Sequence, residues 1–185
     1  MSLKSCLSLA AALALTGNPA LAALDIGERA PDFTAPASLA GQVVEFSLAE
    51  ALKKGPVVVY FFPAAFSSGC SIEAHNFAEA IDEYNKLGAT VIGVSGDDIE
   101  TQKRFSATEC RGKFAVASDA SKSIMKSYDA VMTLMPDYAN RISYVIGTDG
   151  TVVYQYTSLN PDKHVSKTLD ALRDWFKRKA ADRKL

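Results

Sequence analysis

Two cysteines carry most of the chemistry this chain could perform. Cys70 closes the segment Pro63-Ala64-Ala65-Phe66-Ser67-Ser68-Gly69, which follows an apolar run and precedes a helical pattern, so it falls at or just inside a helix N-terminus. Unpaired backbone N–H groups and the helix dipole favour an anion there, which holds a thiol as the nucleophilic thiolate. Ser67 adds a hydroxyl three positions ahead, and Pro63 adds a rigid wall without a backbone donor. On a helix of about 100° per residue, Cys70, Ala74, Ile81 and Tyr84 lie within roughly 60° of Phe77, so the sulfur points toward a core. The bland alternative is a buried cysteine that packs as a small hydrophobe. Cys110, in Thr108-Glu109-Cys110-Arg111-Gly112, falls in the last turn of a helix capped by Gly112. A helix C-terminus disfavours a thiolate, with Arg111 partly offsetting this, so Cys110 is expected to be the less acidic thiol.

The elements that position these residues follow from periodicity. Val57 to Phe62 reads Val-Val-Val-Tyr-Phe-Phe, β-branched and aromatic without polar alternation, as a strand covered on both faces requires, and it is expected to be central. Val43 to Ser47 and Thr90 to Val94 read as strands, and Ile142 to Gly147 with Thr151 to Tyr156 flank an Asp149-Gly150 hairpin turn. Helical patterns run from Ser71 to Lys86, Asp98 to Glu109, Ser121 to Tyr128 and Asp162 to Lys179; the last carries Val165, Leu169, Leu172 and Phe176 on one stripe. The reading is a single α/β domain, residues 23–185, with a central mixed sheet flanked by helices and the turn-rich Ala35 to Gly41 as a loop.

Composition narrows the function classes. With 185 residues, 48% hydrophobic, and 20 basic residues against 21 acidic ones, the chain is an ordinary globular protein whose charge balance suggests neither a nucleic-acid nor an anionic-membrane partner. Residues 1–22 read as a secretory signal peptide. Lys4 precedes an apolar stretch from Cys6 to Leu15, then come Gly17-Asn18-Pro19 and the small-x-small Ala20-Leu21-Ala22. That apolar stretch is too short for a retained membrane span. Cys6 is expected to leave with the signal, and export points to a bacterial periplasm. No Cys-x-x-Cys is present, since Glu73 stands at the second cysteine's place; His75 and His164 share no metal spacing with Cys70; Gly93-Val94-Ser95-Gly96 lacks a phosphate cradle. His75 falls about 160° from Phe77, on the exposed face. His164 is read as opening the last helix, and Met125, Met132, Met135 and Tyr138 as core or subunit contacts, with Asp129 to Asn140 a candidate for the pocket mouth.

Pro63-x-x-x-Ser67-x-x-Cys70 resembles the Pro-x-x-x-Thr/Ser-x-x-Cys signature of the peroxiredoxins, thiol peroxidases on a thioredoxin-like fold. The resemblance covers nearly the whole mature chain: Gly27-Glu28-Arg29-Ala30-Pro31-Asp32-Phe33, Val57 to Pro63, Val91-Ile92-Gly93-Val94-Ser95 and Arg141-Ile142-Ser143-Tyr144-Val145-Ile146 occur in the family's order. Cys70-Ser71-Ile72-Glu73-Ala74-His75-Asn76-Phe77 is most similar to the bacterioferritin-comigratory, or Q-type, branch. The resemblance implies a peroxidatic Cys70 that becomes a sulfenic acid, a peroxide-binding Ser67, a shielding Pro63, and an Arg141 beside the sulfur. Glu73 either orients Arg141 or merely decorates the first helical turn. Many Q-type members carry a resolving cysteine five residues on, where this chain has His75; Cys110 is then either the resolving thiol or an inert packing residue. The implied substrate is hydrogen peroxide or a small organic hydroperoxide, and the implied reductant a thioredoxin-like or glutaredoxin-like protein. No metal, flavin or haem is expected, and the protein is expected to be a monomer or homodimer. A thiol-disulfide oxidoreductase, or a non-catalytic binding protein with a permanent Cys70 to Cys110 bridge, stand as alternatives.

Overall fold

The chain's most apolar strand organises everything around it. In the computed structural model, which describes residues 23–183, β3 (Val57–Phe61) is buried at every position. Its parallel neighbour is β4 (Thr90–Ser95) and its antiparallel neighbour β8 (Ile142–Ile146). Beyond β4 lie β5 (Ala115–Ser118), β1 (Thr34–Leu39) and the edge strand β2 (Gln42–Ser47); beyond β8 lies β9 (Val152–Thr157). The sheet is therefore seven-stranded and mixed, with β3 in its interior beside the middle strand β4, close to the central place expected for it. The expected signal peptide lies outside the described residues.

Alternation along β3 splits the core in two. Val57, Val59 and Phe61 join one apolar cluster with Leu48, Tyr128 and Tyr144, covered by the short helices α1 (Leu48–Leu52) and α4 (Ser123–Ser127). Val58, Tyr60 and Phe62 join the other with Cys70, Phe77, Phe105, Cys110 and Leu172. The helices over that second face are α2 (Ser68–Lys86), α3 (Ile99–Thr108) and α5 (His164–Asp182). Both cysteines thus share one face of the sheet, as period-two side-chain alternation arranges.

Several expectations need correction. Ala35 to Gly41 is not a loop: β1 pairs with both β2 and β5, and only Ala40 and Gly41, with φ of 50° and 79°, form the turn, the left-handed pair a two-residue hairpin uses. Pro36 and three small residues hid the strand. The segment before Arg141 is also structured, since β6 (Val131–Met132) and β7 (Met135–Ala139) form a separate two-stranded ribbon. Met125 is in the core, whereas Met135 and Tyr138 are exposed on that ribbon. On α5 the buried stripe is His164, Thr168, Leu169, Leu172 and Trp175, rotated from the expected one so that Trp175 replaces Phe176.

Candidate active site

The first turn of α2 forms directly after β3 and a short loop. Ser67 is its N-cap in extended conformation, and Cys70 is the third helical residue, inside the zone where backbone N–H groups lack intrahelical partners. The loop is held from outside by Asp97, which sequence reasoning missed. Its Oδ2 accepts from the Ala65 backbone N–H at 2.8 Å and from Ser95 Oγ at 2.6 Å, and Ser95 in turn accepts from Gln102 Nε2 at 2.7 Å. Phe66 takes a left-handed φ of 63°, a conformation that costs a bulky residue energy and persists only where neighbours enforce it. Its ring packs edge-on against Phe105, centroids 5.4 Å apart.

The Cys70 side chain is buried, and Arg141 reaches it from the start of β8. Arg141 Nη2 lies 3.4 Å from Cys70 Sγ. The Arg141 side chain is 6% exposed, so little water screens this contact. Its other donors are occupied: Nε bonds the Leu159 carbonyl at 3.1 Å, and Nη1 reaches the Gly69 carbonyl at 3.4 Å and donates to Glu73 Oε2. A Cβ on Gly69 would stand 3.0 Å from Arg141 Nη2, so alanine there would push the guanidinium a few tenths of an ångström from its place. Burial opposes the Arg141 charge, but Glu73 and Cys70 more than offset it and hold the group above its ordinary pKa.

Glu73 is fully buried and does not decorate a surface turn. Burial is the main influence on its carboxyl, pushing it up to about 8 against the pull of Arg141. Behind it sits His164, also fully buried, with Nδ1 at 3.3 Å from Glu73 Oε1 and 2.8 Å from Ser143 Oγ, and Nε2 at 2.9 Å from the Ser158 carbonyl. His164 does open α5 as expected, but its ring faces the site rather than the helix end; nothing in its local sequence signals that.

The remaining expected residues divide. Ser67 is exposed at the rim of the site, its hydroxyl donating to the Ala64 carbonyl at 3.1 Å with its lone pairs free. Pro63, half-buried, begins the loop. His75 lies on the outer side of α2 as expected, but it is not simply solvated, because Nε2 sits 3.2 Å from Glu109 Oε2. Cys110 lies beyond the end of α3 rather than in its last turn, after the C-cap Glu109 and before the left-handed pair Arg111 and Gly112, with φ of 51° and 64°. It is fully buried, and burial, reinforced by Glu109, pushes its thiol far up. Both cysteines are free thiols. Among the described residues no cluster of three His, Cys, Asp or Glu side chains could hold a metal, and no helix is long and apolar enough to cross a membrane.

The model of the AhpC/TSA family matches residues 26–155, a span that contains Cys70, Glu73, Cys110 and Arg141. The chain belongs to this family, the peroxiredoxins. It is 34% identical over 148 residues to peroxiredoxin Q, a chloroplastic protein of Oryza sativa subsp. japonica; the match covers 80% of this chain and 66% of that protein. The chain thus spans about two thirds or less of the length of such curated relatives. Among solved structures it resembles the peroxidoxin BcpB of Mycobacterium tuberculosis, with TM-score 0.73 and 29% identity over 80% of this chain and 96% of that one. It also resembles peroxiredoxin Q of Xanthomonas campestris, with TM-score 0.66 and 26% identity over 75% and 89% of the two chains. The peroxiredoxin architecture, a thioredoxin-like mixed sheet flanked by helices, is the one described above.

Proposed function

We propose that the protein is a thiol peroxidase in which Cys70 reduces hydrogen peroxide or a small organic hydroperoxide. The observation that carries this reading is the 3.4 Å approach of the buried Arg141 guanidinium to a sulfur at a helix N-terminus. As thiolate, Cys70 attacks the nearer peroxide oxygen; the S–O bond forms as the O–O bond breaks. The sulfur is left as sulfenic acid, and the departing hydroxide or alkoxide takes a proton to leave as water or alcohol. Arg141 stabilises the negative charge first on sulfur and then on oxygen. Ser67, with free lone pairs at the rim, accepts from the peroxide hydroxyl, and Pro63 shields the loop side. Family membership supports the same reaction.

Turnover then needs a second thiol. In the reading we favour, Cys110 attacks the Cys70 sulfenic acid, a disulfide forms, and water leaves; a thioredoxin-like or glutaredoxin-like dithiol reduces it. Because both thiols are buried, the first turn of α2 and the end of α3 must open locally for the sulfurs to meet. The N-terminal pattern supports export to an oxidising compartment with loss of residues 1–22, which the mass of the mature secreted chain tests.

Reduced protein is mixed with a small excess of peroxide, and thiols and peroxide are followed together. Rapid loss of the Cys70 thiol with matching peroxide loss is expected, both abolished by Cys70→Ser; unchanged peroxide would sink the reading. Mass spectrometry after one equivalent of peroxide is expected to find the Cys70 to Cys110 link, whereas a lasting sulfenic or sulfinic acid with Cys110 free assigns resolution to an external thiol.

A further inference from the structure

The buried polar groups behind Cys70 extend one step further than the proposed reaction uses. His164 Nε2 faces the Ser158 carbonyl at 2.9 Å. A carbonyl only accepts, so Nε2 carries a hydrogen. Nδ1 therefore has a bare lone pair whenever the ring is neutral, and it faces Glu73 Oε1 at 3.3 Å. That oxygen makes no well-formed hydrogen bond of its own although it is buried. Two buried lone pairs facing each other is an arrangement that a single proton repairs. Ser143, with one hydroxyl hydrogen 2.8 Å from Nδ1, cannot serve both acceptors.

The location of that proton sets the charge available to sulfur. With it, Glu73 and His164 together are neutral, and the Arg141 charge is left for Cys70. Without it, the Glu73 carboxylate claims the guanidinium, and a Cys70 thiolate would make the buried group a net anion. Burial, the largest influence on each, pushes Glu73 up to about 8 and His164 down to about 4, which puts the proton on the carboxyl, donated to the ring. The other groups around the pair are Arg141 just before β8, Ser143 of β8, Tyr156 of β9 with its ring centroid 4.8 Å from that of His164, and Cys70 of α2. Tyr60 of β3 is a buried phenol within electrostatic reach of Glu73. Arg141 is the permanent cation of this set.

We propose that His164 is a positioning residue for the peroxidatic sulfur, holding through Glu73 a proton that keeps the Arg141 charge directed at Cys70. This rests on the assignment of Cys70 as the reacting thiol. His164 touches neither peroxide nor sulfur; it acts through two intervening side chains.

The test is a double-mutant cycle on the full chain in a Cys6→Ser, Cys110→Ser background, so that one titrating thiol remains, with Cys70 ionisation followed by its ultraviolet thiolate absorbance. His164→Leu is expected to raise the titration midpoint by about 1 pH unit and slow peroxide consumption about tenfold at neutral pH. His164→Asn, whose amide can occupy the Nδ1 position, is expected to recover most of that shift. In Glu73→Gln the amide N–H stands permanently where the carboxylic proton was, so His164→Leu there is expected to shift the midpoint by less than about a third as much. An equal shift with and without Glu73→Gln, or no shift in a folded His164→Leu protein, overturns the proposal. Should His164→Leu fail to fold, His164→Asn and His164→Gln run through the same cycle decide it, since only the asparagine presents its amide where Nδ1 stood. The thiol titration needs no peroxide, so its failure is distinct from failure of the unsubstituted protein to consume peroxide.

Discussion

Cys70 and Cys110 sit over the same face of the sheet, in the same apolar cluster, with comparable burial, yet their surroundings are opposite. Cys70 occupies a helix N-terminus and has a guanidinium at 3.4 Å. Cys110 lies past a helix C-terminus, where burial and Glu109 push its thiol far up and, among the described residues, no side chain donates to it. Burial alone therefore predicts nothing about a thiol's reactivity; what was buried with it does.

The largest test of that contrast is to remove the charge. Arg141→Met keeps much of the volume, and peroxide consumption at neutral pH is expected to fall about 10²- to 10³-fold, read by stopped-flow. A fall of less than about tenfold would mean that the helix terminus suffices. Next, alkylation of the native protein at neutral pH followed by peptide mapping is expected to modify Cys70 about a hundredfold faster than Cys110, and denaturant is expected to erase the difference. Equal native rates would break the comparison.

Two groups behind Cys70 respond to pH in opposite directions. Glu73 has a native value raised from 4.5 to about 8, so between those values the folded state holds a proton the unfolded state has lost, and stability falls as pH rises. His164 is lowered from 6.5 to about 4, so across that interval the unfolded state binds more protons and stability rises with pH. The two oppose each other up to the ordinary histidine value, and above it Glu73 acts alone. A net loss of about 1 kcal/mol between pH 6.5 and pH 8 is expected in denaturant titrations, absent in Glu73→Gln. A smaller effect is expected from Gly69→Ala, whose Cβ meets Arg141 Nη2. Peroxide consumption is expected to fall about tenfold with little loss of helix stability, because alanine suits a helix better than glycine. The smallest is expected from His75→Ala. It breaks the partly exposed pair with Glu109 at 3.2 Å, costs about 0.5 kcal/mol, and speeds Cys70 to Cys110 disulfide formation about twofold by freeing the elements that must part. Slower formation would argue against local opening.

The central strand and the place of Cys70 at a helix start were legible in the sequence because their signals are local: an unbroken β-branched run, a turn, a helix start; Arg141 carried no local signal and was singled out only through the family resemblance of its strand. Residues whose importance comes from distant packing were not legible. His164 and Glu73 are 91 positions apart, and a histidine opening a surface-type helix carries no mark of facing a buried carboxylate. Asp97 reads as an ordinary loop acid next to a helix cap, yet it bonds the Ala65 amide across 32 positions. β1 was hidden for a different reason: Ala35, Ala37 and Ser38 are small because the sheet is covered there, and small residues with a proline read as a turn. Glu73 was legible by type and spacing but not by environment, since first-turn acids are common on exposed helices.

The stretch between β9 and α5 meets the Cys70 end almost entirely through its main chain. The Leu159 carbonyl holds Arg141 Nε, the Ser158 carbonyl holds His164 Nε2, and the Ser158 amide bonds the Arg141 carbonyl at 3.2 Å, while the Leu159 side chain faces solvent. Such a stretch is indifferent to most replacements of its side chains and intolerant of a single insertion or deletion. It acts as a ruler whose graduations are peptide groups, so substitutions can accumulate there freely while its length stays constant.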